Sequence, residues 1–164
     1  MSIQIDEKKF EDIQYSSETL FSQNHIKSTK ILEKIKKKQY ADILNGIGHI
    51  KDNGIVIDIK YLKYFANANT YELITNHIDQ ILAYLVSQKG VFIIYLNIQS
   101  ISLVDADKHS NFLKAISYYF ANKYPNRLFK CYIYNASFMF DAFFNILKHY
   151  IDKETQSKVI LVNT

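Results

Sequence analysis

Five histidines, one cysteine and sixteen carboxylates have the widest chemical reach in this chain, and their spacing argues against most of it. His25, His49, His77, His109 and His149 include no pair one helical turn apart, the spacing that turns two imidazoles onto one metal. Cys131 opens the apolar run CYIYNA, where a small buried thiol is the ordinary reading and a nucleophile, which needs an open, electropositive setting, is not. Asp105 and Asp107 stand where a helix begins and read as caps. The chain has no Gly-x-Gly-x-x-Gly run and no P-loop, so the phosphates of a nucleotide would lack their usual backbone cradle. These patterns predict a protein that is not an enzyme and uses no metal or cofactor.

The more unusual chemistry is apolar. YPNRLFKCYIYNASFMFDAFF, Tyr124 to Phe144, holds the only proline, the only cysteine and five of the eleven phenylalanines. Such rings either close on one another as ordinary core or line a cavity kept open for an apolar ligand. A stripe at helical spacing fits both readings.

The elements that must position these rings follow from periodicity. Residues 1–45 read as an N-terminal helical region, continuous from about Ser17 through Leu44, with Lys27, Lys30, Lys34, Lys37 and Lys38 on one face and Ile31, Leu32 and Ile35 beside it. That lysine stripe is either the solvated face of a docked helix or a surface for an anionic membrane. GIGHIKDNGIVIDIKYL predicts a β-hairpin turning at Asp52-Asn53-Gly54, with Ile55, Ile57 and Ile59 alternating against Val56, Asp58 and Lys60. A helix then starts at Asn69 with Glu72 in a capping box, buries Ile74, Ile78, Ile81, Leu82 and Leu85, and stops at Gly90.

GVFIIYLNI has the continuous apolar character of a strand covered on both faces. The next helix starts near Asp105 or Asp107, presents Phe112, Leu113, Ile116 and Phe120 on one side, and ends before Pro125. A strand at CYIYNA, a helix capped by Ser137 and running to about Tyr150, a short DKETQSK turn or helix and a last strand at VILVN complete the order. The fold class is therefore α/β, a mixed, largely parallel sheet with an N-terminal hairpin and flanking helices. Residues 46–164 form one globular unit behind the helical region.

At 164 residues with 48% hydrophobic content, the chain is long enough for a sizeable core. The N-terminus has neither the basic nor the apolar region of a secretory signal, and one cysteine makes no intrachain disulfide, so the expected compartment is the cytoplasm. VFIIYLNI is far shorter than a membrane span, which needs about 20 apolar residues. A net charge of +4 is too mild to predict nucleic acid as a partner, although it suits peripheral contact with an anionic membrane.

Tyr124-Pro125-Asn126-Arg127-Leu128, the strand Tyr132-Ile133-Tyr134-Asn135-Ala136, Phe138 and Phe140, and then Tyr150-Ile151-Asp152 with Thr155-Gln156-Ser157-Lys158 together resemble the CRAL-TRIO lipid-binding family in order and spacing. NGIVIDIKYL is similar to that family's first hairpin and FIIYLNIQSISL to its central strand, so the resemblance runs from about Lys51 onward. It implies a sheet floor and helical walls around a deep apolar pocket for one phospholipid or similar small hydrophobic molecule, and a link to lipid transport or membrane signalling. Carried over by position, the pocket residues are Phe92, Ile94 and Leu96 on the central strand, Ile133 on the next, and Phe140, Phe144 and Leu147 on the aromatic helix. Thr155 and Lys158 match positions that hold a phosphoinositide headgroup in the phosphatidylinositol-transfer branch.

Several positions depart from the family's pattern. Asn126 replaces a glutamate of the headgroup network, Phe92 and Ile94 replace hydroxyl residues that receive choline, Asn97 replaces an aspartate and Ser137 a proline. In the family the chain continues past the position of Thr164 through a gate helix and another strand. The expectation is therefore that the apolar floor is covered otherwise, by the N-terminal helices as a lid, by a homodimer, or by a bilayer. The alternative function is a divergent protein- or membrane-interaction module without a deep cavity.

Overall fold

The computed structural model of the chain describes residues 10–21, 28–99, 102–136 and 140–162. Among the described residues its N-terminal helical region holds α1 (Ser17–Phe21), α2 (Ser28–Lys36) and α3 (Tyr40–Ile47), with a break after Lys36 where the sequence predicted one continuous helix. Lys38, at a φ of 56°, turns the chain between α2 and α3, and the amide of Gln39 closes that turn on the carbonyl of Lys34 at 2.8 Å. The expected lysine stripe is broken by the same turn: Lys37 and Lys38 lie past the end of α2, and Lys27 lies outside the described residues. Lys34 bonds Asp42 at 2.7 Å and Lys37 bonds Glu33 at 2.9 Å, so part of the stripe is spent on ion pairs within the region.

β1 (Gly48–Lys51) and β2 (Gly54–Asp58) form the predicted hairpin, with Asp52 at a φ of 53° in its turn. The hairpin is shorter than expected, because residues from Ile59 onward form α4 (Ile59–Phe65). The Asp58 carboxylate caps that helix, accepting from the amide of Lys60 at 3.0 Å. Ile59, Leu62 and Phe65 then face the core at helical spacing.

α5 (Tyr71–Lys89) begins one residue later than predicted. Thr70 rather than Asn69 precedes it, with Oγ1 donating to the carbonyl of Phe65 at 2.7 Å and accepting from the amide of Asn67 at 2.9 Å. Gly90 ends α5 in the left-handed region at a φ of 84°, where glycine carries no steric penalty.

After β3 (Phe92–Asn97) come α6 (Leu103–Lys108) and α7 (Ser110–Lys123), where one helix was expected. Asp105 acts from the third position of a capping box: the Ser102 hydroxyl accepts from its amide at 3.1 Å, and its carboxylate accepts from the Ser102 amide at 3.2 Å. Asp107 is simply exposed within α6. β4 (Leu128–Tyr134), α8 (Phe140–Leu147), a 3-10 turn (Lys148–Tyr150), α9 (Lys153–Ser157) and β5 (Val159–Leu161) complete the described order. Ser137, the predicted cap of α8, lies outside the described residues.

The five strands lie in the order β1-β2-β3-β4-β5, antiparallel only between β1 and β2. Parallel strands laid down successively in one direction, each joined by a right-handed crossover, put every crossover helix on the same face. Phe92, Cys131 and Ile133 accordingly join a core with α3, α4, α5 and α7. The alternate residues Ile93, Tyr95, Tyr132 and Tyr134 form a second core on the opposite face, and there the cover is residues 10–21. The anticipated N-terminal lid is thus divided, α2 and α3 adding Ile31 and Ile43 to the helix-covered core while the first segment seals the back of the sheet.

Candidate functional site

A cavity of about 420 Å³ lies on the helix-covered face. Its floor is Ile55 and Ile57 of β2, Phe92, Ile94 and Leu96 of β3, and Leu128 and Cys131 of β4. One wall is Ile74, Ile78 and Leu82 of α5, and the other is Phe112, Leu113, Ile116 and Phe120 of α7. These are the stripes that periodicity marks as inward-facing, so the wall residues absent from the expected site carried a signal for burial but none for a void. The volume lies toward the low end of the roughly 300–1,000 Å³ typical of small-molecule sites.

Polar side chains also border the cavity: Asp58 at the end of β2, Ser117 on α7, Asn126 before β4, and Asp152, Thr155 and Lys158 at α9. The Asp152 carboxylate caps α9, accepting from the amide of Thr155 at 2.6 Å, and that bond holds its carboxyl below the ordinary range. Lys158 is half-buried with its Nζ 3.8 Å from Glu154, and Val159 beside it pairs with Cys131 of the floor. A cation, a hydroxyl and an apolar floor therefore adjoin one another.

The residues expected to line a pocket divide into groups. Phe92, Ile94, Leu96, Thr155 and Lys158 border the cavity. Ile133 shares a face with Cys131 but is 3% exposed and packed into the helix-side core, off the lining. Phe140 and Phe144 stack on each other at 5.5 Å, with Phe140 against that same core, and neither borders the cavity. The side chain of Leu147 lies outside those described.

Tyr124 is fixed from behind. Its ring borders the cavity and stands edge-on to Phe92 at 6.3 Å, while its hydroxyl donates to Asp79 of α5 at 2.5 Å. Lys123 bonds the same carboxylate at 2.5 Å. Burial alone would raise the Asp79 carboxyl, but the bonds from Lys123, Tyr124 and Tyr119 outweigh it and hold it low. Tyr124→Phe should cost about 1.5–3 kcal/mol, the range for a hydrogen bond to a charged group. Urea denaturation would measure it, and an unchanged midpoint would mean that Asp79 does not hold the ring.

Burial also sets the titration of Cys131 and His109. Burial pushes the Cys131 thiol up to about 12, which leaves it inert at neutral pH. His109 is 3% exposed, its Nδ1 is 2.9 Å from the Tyr71 hydroxyl, and its Nε2 has no hydrogen-bond partner among the described residues. Burial lowers its pKa below 6.5, so the unfolded chain takes up the proton first. The stability that neutral His109 contributes is complete above pH 6.5 and is lost as pH falls toward the lower folded value. Stability measured against pH should therefore decline less steeply below pH 6.5 in His109→Gln than in the parent chain, and equal slopes would exclude this role. Among the described residues no group of three or more metal-ligating side chains occurs, and no helix is long and apolar enough to cross a membrane.

The CRAL/TRIO domain family matches residues 55–164. The chain is 38% identical over 64 residues to the SEC14 cytosolic factor of Yarrowia lipolytica, a match spanning 39% of this chain and 13% of that protein. It is 30% identical over 69 residues to the SEC14 cytosolic factor of Candida glabrata, spanning 42% of this chain and 23% of the relative. Among solved structures, that of Sfh5 superimposes with a TM-score of 0.58 at 14% identity, covering 80% of this chain and 57% of the other. The matches therefore span under a quarter of the length of these two relatives.

Proposed function

From its place in the CRAL/TRIO domain family, to which the chain belongs, we propose that it binds one lipid or similar small hydrophobic molecule in the cavity above β2, β3 and β4. The family binds lipids and transfers them. The observation that carries the proposal here is a mostly apolar floor and walls bordered by a few polar side chains, Thr155 and Lys158 among them. Each methylene moved from water into such a lining is worth about 0.8 kcal/mol, so the walls supply affinity while the polar side chains orient the head.

Lys158 and Thr155 are the proposed partners of an anionic headgroup, an ammonium and a hydroxyl being suitable donors to phosphate or carboxylate oxygens. Ligand loading would take place in peripheral contact with a membrane. The naming of both relatives as cytosolic factors supports a cytosolic site of action.

Native mass spectrometry of the chain purified without detergent, before and after exposure to vesicles of mixed neutral and anionic phospholipid, tests the proposal. One hydrophobic molecule per chain is expected. Absence of any adduct under both conditions would sink it and favour an interaction module that binds no lipid. Lys158→Ala should weaken uptake of anionic lipid about tenfold while leaving neutral lipid unchanged, and equal uptake of both would remove Lys158 from the headgroup site.

A further inference from the structure

The back of the sheet carries a second recognition pattern, which neither the cavity nor the family explains. Residues 10–16 run over this face without pairing with any strand. Three platform side chains donate to alternate carbonyls of the segment: Asn53 to Glu11 at 3.0 Å, Tyr95 to Ile13 at 2.6 Å and Tyr134 to Tyr15 at 2.7 Å. Residues 10–16 lie outside any helix or strand, and in an extended chain alternate carbonyls share a direction, so the platform reads main chain, which any sequence can offer.

Three side chains of the segment are read as well. Asp12 accepts from Lys130 and from the Tyr132 hydroxyl, both at 2.6 Å. Phe10 packs edge-on to Phe129 at 4.8 Å. The Tyr15 ring meets Tyr95 at 5.5 Å, lies under the Lys51 ammonium at 5.1 Å, and its hydroxyl bonds Asp52. A register shift between Phe92 and Ile93 leaves Phe129 without a partner on β3, which lets consecutive residues Phe129 and Lys130 both serve this face.

We propose that this sheet face is a peptide-docking surface, closed in the free chain by its own residues 10–21, and that its partner is an extended protein segment carrying an aromatic residue, an acidic residue two positions on and an aromatic residue three beyond that. The platform's donors stand on β3, β4 and the β1–β2 turn, so their arrangement is set by the sheet and does not depend on the segment. The segment itself is held over residues 10–16 by side-chain contacts, so it can lift without breaking a ladder. A competing segment that offers the same carbonyls, carboxylate and rings takes the same place.

The full-length chain tests this. Asp12→Lys sets an ammonium against Lys130 and frees the segment, so a labelled synthetic peptide of residues 8–22 should bind that variant saturably, one to one, and at least tenfold tighter than it binds the parent chain. The same peptide carrying Lys at position 12 should not bind. In the parent chain the amides of residues 10–16 should exchange with solvent faster than those of β3. Asp12→Asn, which removes only the charge, serves if the reversal costs the fold, with a smaller gain expected. A folded variant that binds the peptide no better than the parent does, indifference to the residue at position 12, or exchange of residues 10–16 only together with β3 would overturn the proposal.

Discussion

Gly54→Ala should lower the stability of the chain by about 3 kcal/mol, the upper part of the range for overpacking a filled core, and its thermal midpoint by roughly 10 °C. A Cβ built on Gly54 would lie 2.6 Å from Cε2 of Tyr95 and 2.7 Å from the carbonyl oxygen of Ile93. Neither neighbour can withdraw cheaply. Ile93 is the parallel partner of Gly54 across β2 and β3, so moving its carbonyl disturbs the ladder at the centre of the sheet. The Tyr95 ring lies near-parallel to Tyr132 at 5.8 Å and is tethered through its hydroxyl to the carbonyl of Ile13.

Gly48 supplies the control. A Cβ there would meet Cδ1 of Ile55 at 3.5 Å, an ordinary contact, so Gly48→Ala should change stability by less than about 0.5 kcal/mol. Parallel urea titrations of the two variants would decide it, and equal midpoints would show that β2 and β3 can part at Gly54 without loss.

Most of what the sequence made legible came from periodicity and punctuation. The apolar run from Gly90 to Ile98 could be read as a doubly covered strand because both of its faces are in fact packed, Phe92 toward the helices and Tyr95 toward the N-terminal segment. Gly90 and Pro125 marked stops that local backbone geometry enforces, by a left-handed φ in one case and a turn before β4 in the other. IKYL misled because its apolar positions fit both a strand and a helix, and the helix is chosen by the Asp58 cap together with burial of Phe65, a tertiary outcome. The back of the sheet was hidden for a different reason. Phenols that donate to main-chain carbonyls of a distant segment leave no period in either stretch, so nothing in the spacing marked Tyr95 and Tyr134 as contacts of the N-terminal residues.

The candidate site was legible to the same extent. Alternation placed Phe92, Ile94 and Leu96 on one face, and that face borders the cavity. The stripe of Phe140 and Phe144 announces a buried helix side without saying what it meets, and the two rings meet each other. Only the docking angle of α8 decides between those outcomes, and periodicity does not encode it.

Ile94→Trp should reduce bound hydrophobic ligand at least tenfold while leaving the fold intact, the largest functional effect expected of one substitution. Ile94 is paired with Ile55 on one side and Cys131 on the other, both buried, yet it is itself only partly covered because the cavity opens above it. The added indole volume therefore enters empty space, where it takes up contacts that the void had forfeited, and the stability change should stay within about 1 kcal/mol of the parent. Ile93, one residue away, is fully buried against the opposite cover and has no such space, so Ile93→Trp should cost about 3 kcal/mol by overpacking. Native mass spectrometry and thermal unfolding of the pair separate blocking from unfolding: ligand lost at native stability in the first variant places the occupant over β3, whereas full retention of ligand by a stable Ile94→Trp chain would show that the cavity is not where the ligand binds.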